Sequence, residues 1–212
     1  MFFRHFVISS KKLLTKDFSK LSSVKQYPDA FAKDGDTGYS RTSSGTILPK
    51  DNKVFEAMGA AEELLSFLGL AREYALESEH EYCDKLKRAQ TVIIDISEAI
   101  SKQSGESSVK CTHVKELEDW INQYSKELPV QEKYIIPGSG LASATLHVSR
   151  SICRRVERAI VPLVRNGHLC SSCQIYVNRL ADFLLTASRL AAKMDKHNET
   201  IYVPSTDTKN SQ

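Results

Sequence analysis

Three observations in the sequence predict an all-α protein, an antiparallel bundle of about five helices. Apolar residues recur at three- and four-residue spacing through most of the chain. The alternation that marks a half-buried strand is almost absent. Glycine and proline are sparse, 9 and 6 in 212 residues, which argues against collagen, low-complexity chains and a turn-rich sandwich. The length suits one domain of about 150–200 residues, or two small ones.

Residues 1–28 read as an address rather than as part of the fold. Spaced apolar residues (Phe2, Phe3, Phe6, Leu13, Leu14, Phe18, Leu21) alternate with six cations, one acid and six hydroxyls. An amphipathic, basic, Ser-rich and acid-poor leader without a continuous apolar core is the mitochondrial transit pattern. The rest of the chain carries 23 Lys and Arg against 25 Asp and Glu. The formal charge of +3 therefore belongs to the leader and gives no support to a nucleic-acid partner. No run of about 18 apolar residues occurs, so no transmembrane helix and no membrane partner are expected.

A turn-rich stretch follows, from Asp34 to Gly45 and on to Pro49-Lys50-Asp51; its Gly, Asp and hydroxyl density predicts an ordered loop with neither helix nor strand. The first helix carries the stripe Val54, Met58, Ala61, Leu65 and Leu68, with Asp51 or Asn52 as its cap. The second runs from about Glu79 to Ser101 and buries Leu86, Val92, Ile93, Ile96 and Ile100. A polar linker, residues 103–109, leads to a shorter third helix with Val114, Leu117, Trp120, Ile121 and Tyr124, ending near Pro129. Pro137, Gly138 and Gly140 make residues 134–140 a connection. The fourth helix extends to about Val164, where Pro162 kinks or ends it, and the fifth spans about Ser172 to Lys196. The helical domain is expected over 29–200, with a disordered polar tail over 201–212.

The five cysteines are odd in number and scattered, which fits a reduced compartment better than a disulfide scaffold. Cys170-x-x-Cys173 stands alone with His168 nearby. Without a second ligand pair it predicts no zinc site, and without a βαβ pattern it gives little ground for a redox motif.

Helix four carries the chemistry. At about 100° per residue, Val148, Ile152, Val156, Ala159 and Leu163 fall on one side. Arg150, Arg154, Glu157, Arg158 and Arg165 fall on the other, with Arg155 between. Arginine grips phosphate bidentately where lysine cannot. On helix five Asn178 and Asp182 share a face, beside Arg179. The plain alternative is a solvated face with intrahelical pairs such as Arg154–Glu157. The Gly/Asp/Ser loop, whose amides can cradle phosphates with Lys50 as a further cation, favours a polyphosphate site instead. It lacks the GKS or GKT ending of a P-loop and no strand precedes it.

Four blocks carry a resemblance to the ATP:cob(I)alamin adenosyltransferases of the PduO type, close to the mitochondrial animal enzymes. Gly35-Asp36-Thr37-Gly38-Tyr39-Ser40 resembles the family's N-terminal loop, and Gly59 through Leu64 its G-x-x-D-E-L segment. Ile136-Pro137-Gly138-Ser139-Gly140, with Leu146-His147 and Arg150, resembles L-P-[GS]-G…LH-x-x-R. Arg154-Arg155-Val156-Glu157-Arg158 followed by Asn178-Arg179-Leu180-Ala181-Asp182 matches R-R-x-E-R…N-R-L-[SA]-D, the most specific pair. Together the blocks span about residues 30–195.

The resemblance implies a five-helix bundle with an N-terminal nucleotide-binding loop, assembled as a homotrimer with sites at subunit boundaries. It implies transfer of the 5′-deoxyadenosyl group of ATP to cob(I)alamin, both as substrates, with Mg²⁺ on the triphosphate. By motif match, Gly35, Ser40, Arg41 and Lys50 fall at triphosphate-binding positions, with Lys33 and Asp34 in the same nucleotide-binding loop, and Arg154, Arg155, Glu157, Arg158 and Asn178 complete the nucleotide site. Arg154, Arg158 and Asp182 are the expected catalytic residues, Asp182 orienting Arg179 or Arg154 from behind, and no resident metal ligand is expected. A mitochondrial matrix location implies a cobalamin-dependent mutase and a corrinoid reductase as further partners. Ala32, Asp34 and Glu62 depart from the family pattern, and a low-turnover protein that holds and delivers adenosylcobalamin is the alternative. Glu62 is expected to pair with an arginine of the R-R-x-E-R segment on a neighbouring subunit.

Overall fold

The computed structural model describes residues 35–131 and 133–204; the leader, Ala32, Lys33, Asp34 and residues 205–212 lie outside them. The chain divides into two compact units, residues through Lys50 and residues from Asp51 onward.

In the first unit, β1 (Tyr39–Arg41) and β2 (Ile47–Pro49) pair antiparallel, Ser40 opposite Leu48. This corrects the expectation of a loop without strands. The residues between the strands close the turn themselves: Thr42 N donates to Thr46 O (2.9 Å), Gly45 N donates to Thr42 O (3.0 Å), and Thr46 N donates to the Thr42 hydroxyl (3.2 Å). Gly45 adopts φ +90°, which a side chain would resist. Three-residue strands are too short to show an alternation, so only the turn chemistry was visible in the sequence.

Among the described residues the second unit holds five helices: α1 (Lys53–Glu77), α2 (Cys83–Lys102), α3 (Cys111–Ser125), α4 (Leu141–Arg165) and α5 (Ser171–Met194). Helix α4 packs against α1 and α5, α1 against α2, and α3 against α5. Asn52, not Asp51, caps α1, its side-chain oxygen accepting from Val54 N at 3.0 Å. The buried stripe of α1 is Val54, Ala57, Ala61, Leu64, Leu68, Ala71 and Ala75. Met58 and Leu65, expected inside, are half-buried. Alanines let the neighbouring helices approach closely, which turns the larger side chains toward the edge of the contact. The α2 stripe is buried throughout, as expected. That helix starts four residues later than predicted, because Glu79 takes φ +55° and breaks the path from α1. Pro162 lies inside α4, which continues to Arg165.

One end of this unit fastens the connection before α4. β3 (Ile135–Ile136) pairs with β4 (Thr200–Ile201), and Tyr202 N donates to Tyr134 O at 2.8 Å, so the pairing passes the boundary expected at residue 200. Ser139 Oγ donates to Asn198 O at 3.0 Å. Arg189, 9% exposed, donates to both carboxylate oxygens of Glu199 (2.9 and 3.2 Å) and to Pro129 O (3.0 Å). The buried His80 bridges the Tyr82 hydroxyl (2.7 Å) and Asp195 at the end of α5 (2.9 Å). Gly140, the N-cap of α4, takes φ +97°, and a Cβ there would lie 2.7 Å from the His197 ring. His197 is exposed and can move aside, so backbone strain dominates. Gly140→Ala is expected to lower unfolding free energy by about 1–3 kcal/mol in denaturant titration.

Candidate functional site

The polar face of α4 separates into committed and uncommitted cations. Arg155 forms an ion pair with Glu63 of α1. Glu157 accepts a hydrogen bond from Asn178 Nδ2 at 2.8 Å, which ties α4 to α5. Arg154 and Arg158 are exposed and make no ion pair or hydrogen bond among the described residues. An arginine fork left open beside a fixed carboxylate–amide pair is suited to an incoming polyanion. The intrahelical Arg154–Glu157 pair, the plain alternative, does not form.

Asp182 reaches Arg179, not Arg154, with Arg179 Nη1 donating to Oδ2 at 2.8 Å. Glu118 of α3 lies 3.2 Å from the same guanidinium. Asp182 therefore holds Arg179 by an i,i+3 ion pair along α5.

In the first unit, Lys50 N donates to Gly38 O at 2.8 Å, and the Lys50 ammonium folds over Gly35. A Cβ on Gly35 would stand 2.8 Å from Lys50 Nζ, so glycine leaves room for the cation. Ser40 is half-buried in β1. Arg41 spends one N–H on Gly45 O at 3.1 Å, bracing the hairpin. Lys33 and Asp34 lie outside the described residues.

The structure adds residues to which the sequence gave no role. A cleft of about 510 Å³ in the helical unit is lined by Glu63, Pro137, His147, Val148, Arg155 and Arg158 among others. Val148, at one end of the apolar side of α4, is 42% exposed here. Glu63, rather than its neighbour Glu62, takes the arginine within the chain; Glu62 is exposed, and its backbone carbonyl accepts from Ser66 Oγ. Both acids sit in one motif block, and helical phase alone could have separated them. Arg150 Nε is buried without a hydrogen-bond partner among the described residues. Buried guanidinium nitrogens are normally paired.

Burial, with Arg150 close by, holds His147 below the ordinary histidine pKa against an opposing pull from Glu199. As pH falls, the unfolded chain takes up this proton first. Its contribution to stability is therefore full above about pH 6.5 and is lost as pH drops through the lower folded value. His147→Gln should flatten the acid limb of a plot of urea midpoint against pH.

Among the described residues no three His, Cys, Asp or Glu side chains group as metal ligands. Within the helical unit, the described residues offer two open arginine forks and an oriented carboxamide.

A family model for cobalamin adenosyltransferase matches residues 30–191. The chain is 37% identical over 191 residues to the corrinoid adenosyltransferase MMAB of Mus musculus, covering 85% of this chain and 80% of that protein. It is 31% identical over 165 residues to a corrinoid adenosyltransferase of Citrobacter freundii, covering 76% and 93%. A solved structure of a PduO-type ATP:corrinoid adenosyltransferase variant from Lactobacillus reuteri, complexed with cobalamin and ATP, superposes with a TM-score of 0.76. That match has 28% identity and covers 82% of this chain and 99% of the other.

Proposed function

This chain belongs to the cobalamin adenosyltransferase family, and from that membership we propose that it transfers the 5′-deoxyadenosyl group of ATP to cob(I)alamin, releasing triphosphate. The observation that carries the site assignment is the pair of uncommitted arginines, Arg154 and Arg158, beside the fixed Glu157–Asn178 pair.

Cob(I)alamin, a substrate, is the nucleophile. Its cobalt electron pair forms the Co–C5′ bond while the C5′–O bond to triphosphate breaks. The protein then needs no nucleophile of its own. Its task is to orient ATP and to meet the charge that collects on the departing triphosphate. We assign that charge to Arg154 and Arg158, with Arg155 and Asn178 orienting the nucleotide and Glu157 aligning Asn178. Asp182 holds Arg179 in place behind them. By motif match Gly35, Ser40, Arg41 and Lys50 bind triphosphate oxygens, with Lys33 and Asp34 in the same loop.

Mg²⁺ fits this residue set as an ion carried by the nucleotide. The described residues offer it no protein cage, and Mg²⁺ commonly takes one or two carboxylates while phosphates and water fill the remaining positions. The ion would supply further neutralisation of the leaving oxygens.

We place the enzyme in the mitochondrial matrix as a homotrimer, where a corrinoid reductase supplies cob(I)alamin and a cobalamin-dependent mutase takes the product. Residues 1–28 fused to a fluorescent reporter should direct it into mitochondria; a diffuse cytosolic signal would remove this assignment. The reaction itself is tested by phosphorus NMR after incubation with ATP, Mg²⁺ and chemically reduced cobalamin. Intact triphosphate formed in step with adenosylcobalamin is expected. Diphosphate and phosphate released without a cobalt–carbon product would overturn it.

A further inference from the structure

Cys170 and Cys173 lie outside the adenosyl-transfer machinery, one turn apart at the start of α5. Cys170 is the N-cap and Cys173 the third helical residue, whose N–H donates to Cys170 O at 3.1 Å. Cysteines three apart across a first helical turn sit within the separation a disulfide spans. Both are free thiols in the structure.

The two thiols are held in different chemical states. Cys170 is half-buried, and the Ser172 hydroxyl donates to its sulfur at 3.2 Å. That hydrogen bond, with a second from the Ser172 backbone, draws the Cys170 thiol below its ordinary pKa. Cys173 is fully buried and donates to Ser107 Oγ at 3.2 Å, from the 103–110 connection between α2 and α3. Burial pushes the Cys173 thiol up. A reachable, thiolate-favouring cysteine backed by a buried protonated one is the division of labour of a thiol–disulfide pair. The other cysteines lack it: Cys83 and Cys153 are buried and donate to backbone carbonyls, and Cys111 is exposed.

We propose that Cys170 and Cys173 form a redox-active dithiol that reacts with low-molecular-weight disulfides. The Cys170 thiolate attacks one sulfur of the small disulfide, forming a mixed disulfide and expelling one thiolate. Cys173 then turns from Ser107, loses its proton to solvent and attacks Cys170 Sγ. This closes the Cys170–Cys173 bond and expels the second thiolate. The protein loses two electrons and two protons, and the small disulfide becomes two thiols. The buried position of Cys173 is no obstacle, because its only target is the sulfur one turn away. Closure also removes the side-chain hydrogen bond from α5 to Ser107.

The full chain is reduced, equilibrated in glutathione buffers of increasing oxidised fraction, alkylated, and mapped by peptide mass spectrometry. Cys170 and Cys173 should leave the alkylated pool together as an internal disulfide, with little glutathione retained on Cys170. Cys173→Ser should accumulate glutathione on Cys170, and Cys170→Ser should leave Cys173 alkylatable after unfolding. The proposal is overturned if both cysteines stay reduced where Cys111 already carries glutathione. It is equally overturned if wild type and Cys173→Ser retain the same glutathione on Cys170. The wild-type map decides the matter alone should a variant fail to fold, and neither readout depends on adenosyl transfer.

Discussion

Arg154→Lys is expected to lower kcat by about a hundred- to a thousandfold, the usual loss when one preorganised donor to a developing negative charge is removed. Charge is conserved in this substitution, so electrostatic attraction at long range remains. What changes is shape: a planar five-donor fork becomes a single ammonium that cannot span two phosphate oxygens in a fixed orientation. Arg154 is free to take this role, because it makes no ion pair or hydrogen bond among the described residues. The folded state should be nearly indifferent, since the side chain is exposed. Steady-state kinetics with ATP varied at saturating cob(I)alamin separates the outcomes. Loss in kcat assigns Arg154 to the transition state; loss confined to KM assigns it to uniform nucleotide binding. Unchanged kinetics would remove Arg154 from the site.

Phe183→Ala should produce the largest loss of stability. Phe183 is completely buried in α5, and its ring lies 5.4 Å from that of Trp120 on α3, tilted by 57°. Truncation removes the transfer energy of the ring, leaves a cavity that neighbouring backbones cannot close, and breaks an aromatic pair. The expected cost is about 3–5 kcal/mol, or a fall of roughly 6–20 °C in Tm for a chain of this size. Asp182 precedes Phe183 directly, and Asn178 lies five residues earlier on the same helix. Activity measured well below the new Tm should therefore fall as well. A Tm within a degree of wild type would mean that the α3–α5 contact does not support the bundle.

These two residues also mark what the sequence discloses and what it hides. The α2 core was legible because large β-branched and Leu side chains repeat at unbroken helical spacing. The α1 core was one position out of phase at Met58 and Leu65, since alanines carry its seam and alanine gives little hydropathic contrast. The hairpin over 39–49 was invisible as strand, because three residues cannot establish a period. In the helical unit, the arginines, Glu157 and Asn178 were legible through helical spacing and the family motif together. Which arginines are spent was not: the Glu63–Arg155 pair and the Asp182–Arg179 pair depend on how α1, α4 and α5 are rotated against one another. Helical spacing puts Arg150 on the polar side of α4, and its buried Nε emerges only once α4 is packed.

The central claim is that this protein is a catalyst for adenosyl transfer and not a carrier of the finished cofactor. Purified protein mixed with excess ATP, Mg²⁺ and chemically reduced cob(I)alamin gives one decisive number, the moles of adenosylcobalamin formed per mole of protein. Many equivalents, rising linearly with time, are the predicted result. Adenosylcobalamin bound at one equivalent or fewer per chain, with no further product on longer incubation, would contradict it.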